Sequence, residues 1–130
     1  MGRQFILFGA LLALLHILLS AFAAHWLQGD WSADQQRWFD LAADYHGSQS
    51  AGLILCALAS LILGPSQMFN RACLSLLFGT LVFCGSLYLM AWTGIRGLGA
   101  VTPVGGVALL LGWGFFAYAV LRSGQTSQSR

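Results

Sequence analysis

Apolar residues run along this chain in four long blocks, and the polar residues gather in the gaps between them. The first block is Phe5–Leu27, and the second begins near Tyr45 and ends at Leu63. Leu74–Trp92 is a run of 19 residues without a charge, and Val104–Leu121 is another of 18. At ~1.5 Å rise per residue, helices of this length cross the ~30 Å hydrocarbon core of a bilayer. The pattern predicts an all-α polytopic membrane protein, an antiparallel four-transmembrane-helix bundle with spans at roughly 5–27, 45–63, 72–92 and 104–121. One domain then covers residues 1–122, and the Ser/Gln-rich stretch 123–130 is expected to be a disordered cytoplasmic tail.

The gaps carry the punctuation. Ser32 and Gln35 have capping-box spacing, so a helix should start near Ala33. Trp38, Leu41, Ala42 and Tyr45 recur at i, i+3, i+4 and i+7, which predicts a short amphipathic interfacial segment feeding directly into the second span. Gly64-Pro65 should end that span, and Ser66–Arg71 should form a short turn before the third. Thr102 and Pro103 suit the N-cap and first position of the fourth helix. Ala21-Phe22-Ala23-Ala24 resembles a signal-peptidase site, but the apolar run before it is longer than a signal core, so a retained helix is expected.

Composition reinforces the membrane reading. Of 130 residues 58% are hydrophobic and only 8% charged, with a mean hydropathy of +0.74. Soluble domains carry ~25% charged residues. A net charge of +2, from six arginines against four aspartates, is too small and scattered for nucleic acid. Cys56, Cys73 and Cys84 lie within apolar runs without C-x-x-C spacing, which argues for packing rather than a disulfide framework or zinc. Four spans place both termini on one side, with Arg3, Arg71, Arg122 and Arg130; the other side has Arg37, Arg96 and all four aspartates. Four positive charges against two favour cytoplasmic termini in a bacterial inner membrane, with Trp26, Trp31, Trp38 and Trp92 as outer anchors. Ser75, Gly79 and Ser86 on the third span, and Gly105, Ala108 and Gly112 on the fourth, form small faces that let helices approach closely.

Phe83-Cys84-Gly85-Ser86-Leu87-Tyr88-Leu89, Thr93-Gly94, Thr102-Pro103-Val104-Gly105-Gly106 and Leu111-Gly112-Trp113 together resemble the domain-of-unknown-function 423 family. These are small four-helix bacterial membrane proteins similar to animal transmembrane protein 256. Gly9-Ala10-Leu11 and Ala21-Phe22-Ala23-Ala24-His25 resemble the family's G-A-L and A-F-G-A-H patterns, so the likeness spans nearly all of the chain except its tail. What the resemblance implies is a fold and a location, because the family's activity is unassigned. Two positions depart from it. The family's Tyr-Gln-x-x-His reads here Tyr45-His46-Gly47-Ser48-Gln49, which removes imidazole from position 49, and His16 stands where the family has a small residue.

Few residues offer chemistry. His25 at the end of the first span and His46 at the start of the second should meet Asp44, Tyr45 and Gln49 in a polar cluster at the outer interface. Such a cluster either fixes the hairpin through hydrogen bonds or binds a ligand or proton. Without H-x-x-x-H or E-x-x-H spacing, it is weak evidence for metal. His16, near the middle of the first span, is a candidate intramembrane site. Arg96 sits in a glycine-rich outer loop and can pair with Asp30, Asp34, Asp40 or Asp44, or with lipid phosphate. No nucleophile–base pair and no cofactor motif points to an enzyme. The residues favour a structural or accessory component whose partners are the lipid bilayer and a larger membrane-protein complex or further copies of itself. An oligomeric transporter or channel for a small solute, ion or proton is the alternative. All four acids lie outside the spans, and no polar stripe runs their full depth.

Overall fold

The computed structural model describes residues 2–27 and 29–127, with side chains over 2–25 and 29–124. α1 (Gly2–Phe22) runs into a single π-helical turn, Ala23–Leu27; α2 is Ala33–Leu63, α3 is Gln67–Thr93 and α4 is Thr102–Ser127. A 3-10 turn, Arg96–Ala100, joins α3 to α4. All four helices are long and apolar enough to cross a membrane.

The polar gap and the second span form one unbroken helix. Ser32 starts it with a full capping box: its hydroxyl accepts from Gln35 N–H at 3.2 Å, and Gln35 Oε1 accepts from Ser32 N–H at 3.0 Å. A cap of this kind contributes about 1 kcal/mol. Gln35 also donates from Nε2 to the Ala91 carbonyl at 2.9 Å, pinning the start of α2 to the end of α3. The face that α2 buries here is Phe39, Ala42 and His46, with Trp38 packed beside it; of the expected stripe Trp38 and Ala42 turn inward, whereas Leu41 and Tyr45 are exposed. Tertiary contact with α3 chooses the face, and the local stripe does not decide it.

At the other end α2 stops at Gly64, whose positive φ is followed by Pro65. The turn is shorter than the expected Ser66–Arg71, because Ser66 accepts from Phe69 N–H and starts α3 at once. α3 ends on Gly94 in the left-handed region, with its N–H bonded to the Met90 carbonyl. Thr102 is the first residue of α4 and Pro103 the second, one step later in the helix than the expected N-cap and first position. The Thr102 hydroxyl meets the Ser86 hydroxyl of α3 at 2.7 Å, which ties the two helices together. α4 continues to Ser127, through the first part of the stretch expected to be disordered; residues 128–130 are outside the described ones.

The helices pack in chain order. α2 and α3 form the central pair, α1 lies on α2 and α4 on α3, and among the described residues α1 and α4 make no close approach. The core follows from this: Leu53, Cys56 and Ala57 of α2 interlock with Phe69, Ala72, Cys73 and Leu76 of α3. The α3–α4 seam depends on absent side chains. A Cβ on Gly105 would fall 2.7 Å from the Phe83 Cα, and one on Gly112 would fall 3.1 Å from the Leu76 backbone N. Gly79 meets Leu109 in the same way, Ser86 is buried in the seam, and Ser75 and Ala108 are half-buried. The buried hydroxyls of Ser50 and Thr80 fold back on carbonyls of their own helices, at His46 and Leu76.

The seam makes a direct prediction. Gly105→Ala puts a methyl group into the α3 backbone and should destabilise the protein by about 1–3 kcal/mol. Gly114→Ala on the same helix, where a Cβ meets nothing within 4 Å, should be neutral or gain up to ~1 kcal/mol of helix propensity. Unfolding in mixed micelles, with both variants side by side, measures the difference.

Candidate functional site: an imidazole pair between α1 and α2

Several polar side chains of the apolar interior meet at one place. α1 supplies His16, α2 supplies His46 with Gly47 and Ser50 beside it, and α3 supplies Tyr88. His46 is only 3% exposed. Its Nδ1 lies 2.9 Å from the Tyr88 hydroxyl, and its ring stands edge-on to that of His16, with centroids 5.5 Å apart. Gly47 makes the approach of α1 possible: a Cβ there would sit 2.9 Å from the Cε1 of His16.

Hydrogen-bond accounting assigns the tautomer. Among the described residues, His46 Nδ1 is the hydrogen-bonding partner of the Tyr88 hydroxyl, and a buried phenol needs an acceptor. The phenol therefore donates, Nδ1 accepts, and the proton of neutral His46 sits on Nε2. That Nε2 is buried without a hydrogen-bond partner. It faces α1, where the Leu12 carbonyl lies beside the ring without completing a bond. A cavity of about 90 Å³, lined by Leu12, Leu19, His46, Thr80, Cys84 and Tyr88, adjoins the ring. Behind Tyr88 an aromatic row of Phe39 and Trp31, at centroid spacings of 5.4 and 5.5 Å, closes the aspartate-bearing end of the protein.

The expected interface cluster is dispersed. His46 pairs with His16 rather than with His25. His25 lies nine residues further along the first helix and its π turn, roughly 13 Å away at the helical rise. Tyr45 packs on Phe83 at 4.7 Å, Gln49 accepts from Trp113 Nε1 of α4 at 3.0 Å, and Asp44 is exposed. Arg96 pairs with Asp34 and lies 6.0 Å over the Trp38 ring; both partners are substantially exposed, so the ion pair contributes ~0–1 kcal/mol. Trp31 and Trp38 pack at this same end and Trp92 is exposed there; the Trp26 side chain lies outside the described residues. Among the described residues no three His, Cys or Asp side chains gather as a metal site.

Sequence reasoning missed Tyr88 as a site residue and placed the two histidines at different depths. Tyr88 could have been found from the Gly-Ser-Leu-Tyr element, whose phenol is the one in the third span. At the terminal end, a wider crevice of about 560 Å³ between α1, α2 and α3 is lined by Phe5, Ser60, Asn70 and Cys73, with Asn70 Oδ1 buried and unpartnered. The thiols of Cys56 and Cys73 lie 3.4 Å apart between α2 and α3, both buried.

Four long apolar helices, a charged rim at one end and a few internally paired polar groups define a multi-pass α-helical membrane protein. The chain belongs to the family described as Protein of unknown function (DUF423), which it matches over residues 19–106. It is 38% identical to a UPF0382 membrane protein of Staphylococcus epidermidis, over 92% of this chain and 97% of that one. It is 35% identical to the UPF0382 membrane protein YwdK of Bacillus subtilis, over 92% and 98% of the two chains. It is also 31% identical to the UPF0382 inner membrane protein YgdD of Escherichia coli, over 93% and 92%. No solved structure matches the chain. The family is one of multi-pass membrane proteins without an assigned activity.

Tyr88→Phe removes the hydroxyl and leaves both nitrogens of a buried imidazole without a bond. The expected cost is about 0.5–2 kcal/mol, the range of interhelical hydrogen bonds in membranes. Tyr118→Phe, on an exposed side chain, should cost nothing measurable. Thermal unfolding of both variants in the same detergent checks this.

Proposed function

We propose that this protein is a small, non-catalytic structural or accessory component of the membrane that acts by binding other membrane proteins or lipids. The observation that carries the reading is the open helix order. Among the described residues α1 and α4 flank the central pair without meeting, and each offers a broad apolar face: Leu14, Ile17 and Leu18 on α1, and Val107, Leu110 and Leu121 on α4. A chain built this way encloses no path of its own but has two lateral faces free for neighbours in the bilayer. Both termini lie in the cytoplasm of a bacterial inner membrane in this reading. It is supported by Arg3, Arg71 and Arg122 at the terminal end against Arg37, Arg96 and the aspartates at the other.

One observation favours a second reading, an oligomeric transporter of protons or small ions. His16 and His46 are ionisable side chains within the apolar interior, where such residues mark ion paths more often than elsewhere. Because α1 and α4 do not close on each other, the path would run between copies of the chain.

Gentle detergent extraction from the protein's own membrane separates the two. The accessory reading expects a different membrane protein to co-purify at fixed stoichiometry. A homo-oligomer with neither a protein partner nor retained lipid contradicts it and favours the transport reading, and a lone monomer that retains no lipid contradicts both. Orientation is checked by Gln125→Cys, since the native cysteines are buried. The introduced thiol should react with impermeant maleimide only after cells are opened, and labelling of intact cells overturns the assignment.

A further inference from the structure

We propose that His16 and His46 form an intramembrane proton-binding site, in which one proton is held between the two imidazoles. The inference stands on the geometry of the pair and goes beyond either reading of the function. Its starting point is the orphan nitrogen. A buried histidine kept only for packing is expected to use both nitrogens. His46 instead uses Nδ1 on Tyr88 and leaves a buried Nε2 turned toward α1 without a bond. The group opposite is a second imidazole, 5.5 Å away between centroids and inclined at 70°. The shared proton requires the half-buried His16 ring to turn about its Cβ–Cγ bond so that a nitrogen meets that Nε2. Gly47 seats the ring on α2, since a Cβ there would lie 2.9 Å from Cε1 and 3.1 Å from Nε2 of His16.

The groups facing the pair leave it in charge of its own protonation. From α1 come His16 and the Leu12 carbonyl; from α3 come Tyr88 and Cys84. On α2 itself the Ser50 hydroxyl is occupied by the His46 carbonyl. α4 meets α2 at Trp113, beside Gln49 and Gly52, and among the described residues brings no titratable side chain to the pair. Among the described residues no carboxylate competes for the proton and no arginine repels it.

Uptake adds one proton and one positive charge and breaks no bond between heavy atoms. Nδ1 of His46 takes the proton, the Tyr88 oxygen changes from donor to acceptor, and Nε2–H bonds the bare nitrogen of His16. A single imidazolium in hydrocarbon would be costly; two rings joined by a charge-assisted hydrogen bond spread the charge. A crevice of about 90 Å³ beside His46 borders Tyr88.

The test is nuclear magnetic resonance of the ¹⁵N-imidazole-labelled full chain in phospholipid vesicles, titrated from about pH 4 to 9 around the ordinary histidine value near 6.5. His16 and His46 should respond in one common step, with a fixed offset from His25, which serves as the internal reference. In His16→Gln the His46 response should move by at least about one pH unit, a tenfold change in proton affinity. Two unrelated steps in the wild-type protein, or a His46 spectrum that never changes, would overturn the proposal without any variant. An unchanged His46 titration in His16→Gln would overturn it as well.

Discussion

Every polar group carried into the hydrocarbon must find its partner inside the protein, because lipid offers none. The rest of the structure depends on that constraint. Helices satisfy the backbone; the hydroxyls of Ser50 and Thr80 fold back on their own helices; Trp113 donates to Gln49 and Tyr88 bonds His46. With polar pairing used up locally, what remains to hold helix to helix is shape. Gly105 lets α4 ride on the backbone of α3, and Gly47 lets the ring of His16 settle on α2. Among the described residues two buried side-chain atoms break the rule, Asn70 Oδ1 near the start of α3 and His46 Nε2 beside α1.

Much of the fold was legible in the sequence, and for identifiable reasons. Uncharged runs as long as Leu74–Trp92 have one stable solution in a bilayer, and the capping signals at Ser32 with Gln35 and at Gly64-Pro65 act through near neighbours. What sequence could not show was set by contact at a distance. The stripe Trp38, Leu41, Ala42 and Tyr45 was a correct helical period turned partly off the buried face: Trp38 and Ala42 pack inward, but α1 and α3 draw in Phe39 and His46 in place of Leu41 and Tyr45. Ser66 reads equally well as a turn residue or a cap until Phe69 is seen to donate to it. The site was the least legible part. Its three side chains come from positions 16, 46 and 88, and only the relative depth of α1, α2 and α3 brings them together.

Layout and site belong to one argument. α2 is 31 residues long, ~46 Å at the helical rise, so it carries its polar first turns beyond the bilayer and still lays His46 against the middle of α1. α1 is held mainly by Phe5, Gly9, Leu12 and the imidazole contact, and so exposes most of its surface. α4 does the same on the far side of α3. A central pair with two flanking helices is a natural unit for lateral binding, and the flanking helix α1 is the one that shares the buried imidazoles.

The open order of the helices is the claim on which this account turns, and disulfide cross-linking within single chains tests it most directly. Cysteine pairs would be placed along each pair of helices in a Cys56→Ala, Cys73→Ala, Cys84→Ala background in native membranes. Cross-links need Cα atoms within about 7 Å. The account predicts efficient intrachain links from α1 to α2, α2 to α3 and α3 to α4, and none from α1 to α4. Intrachain links between α1 and α4 as efficient as the others would contradict it, by closing the four helices into a ring with no free lateral faces between them.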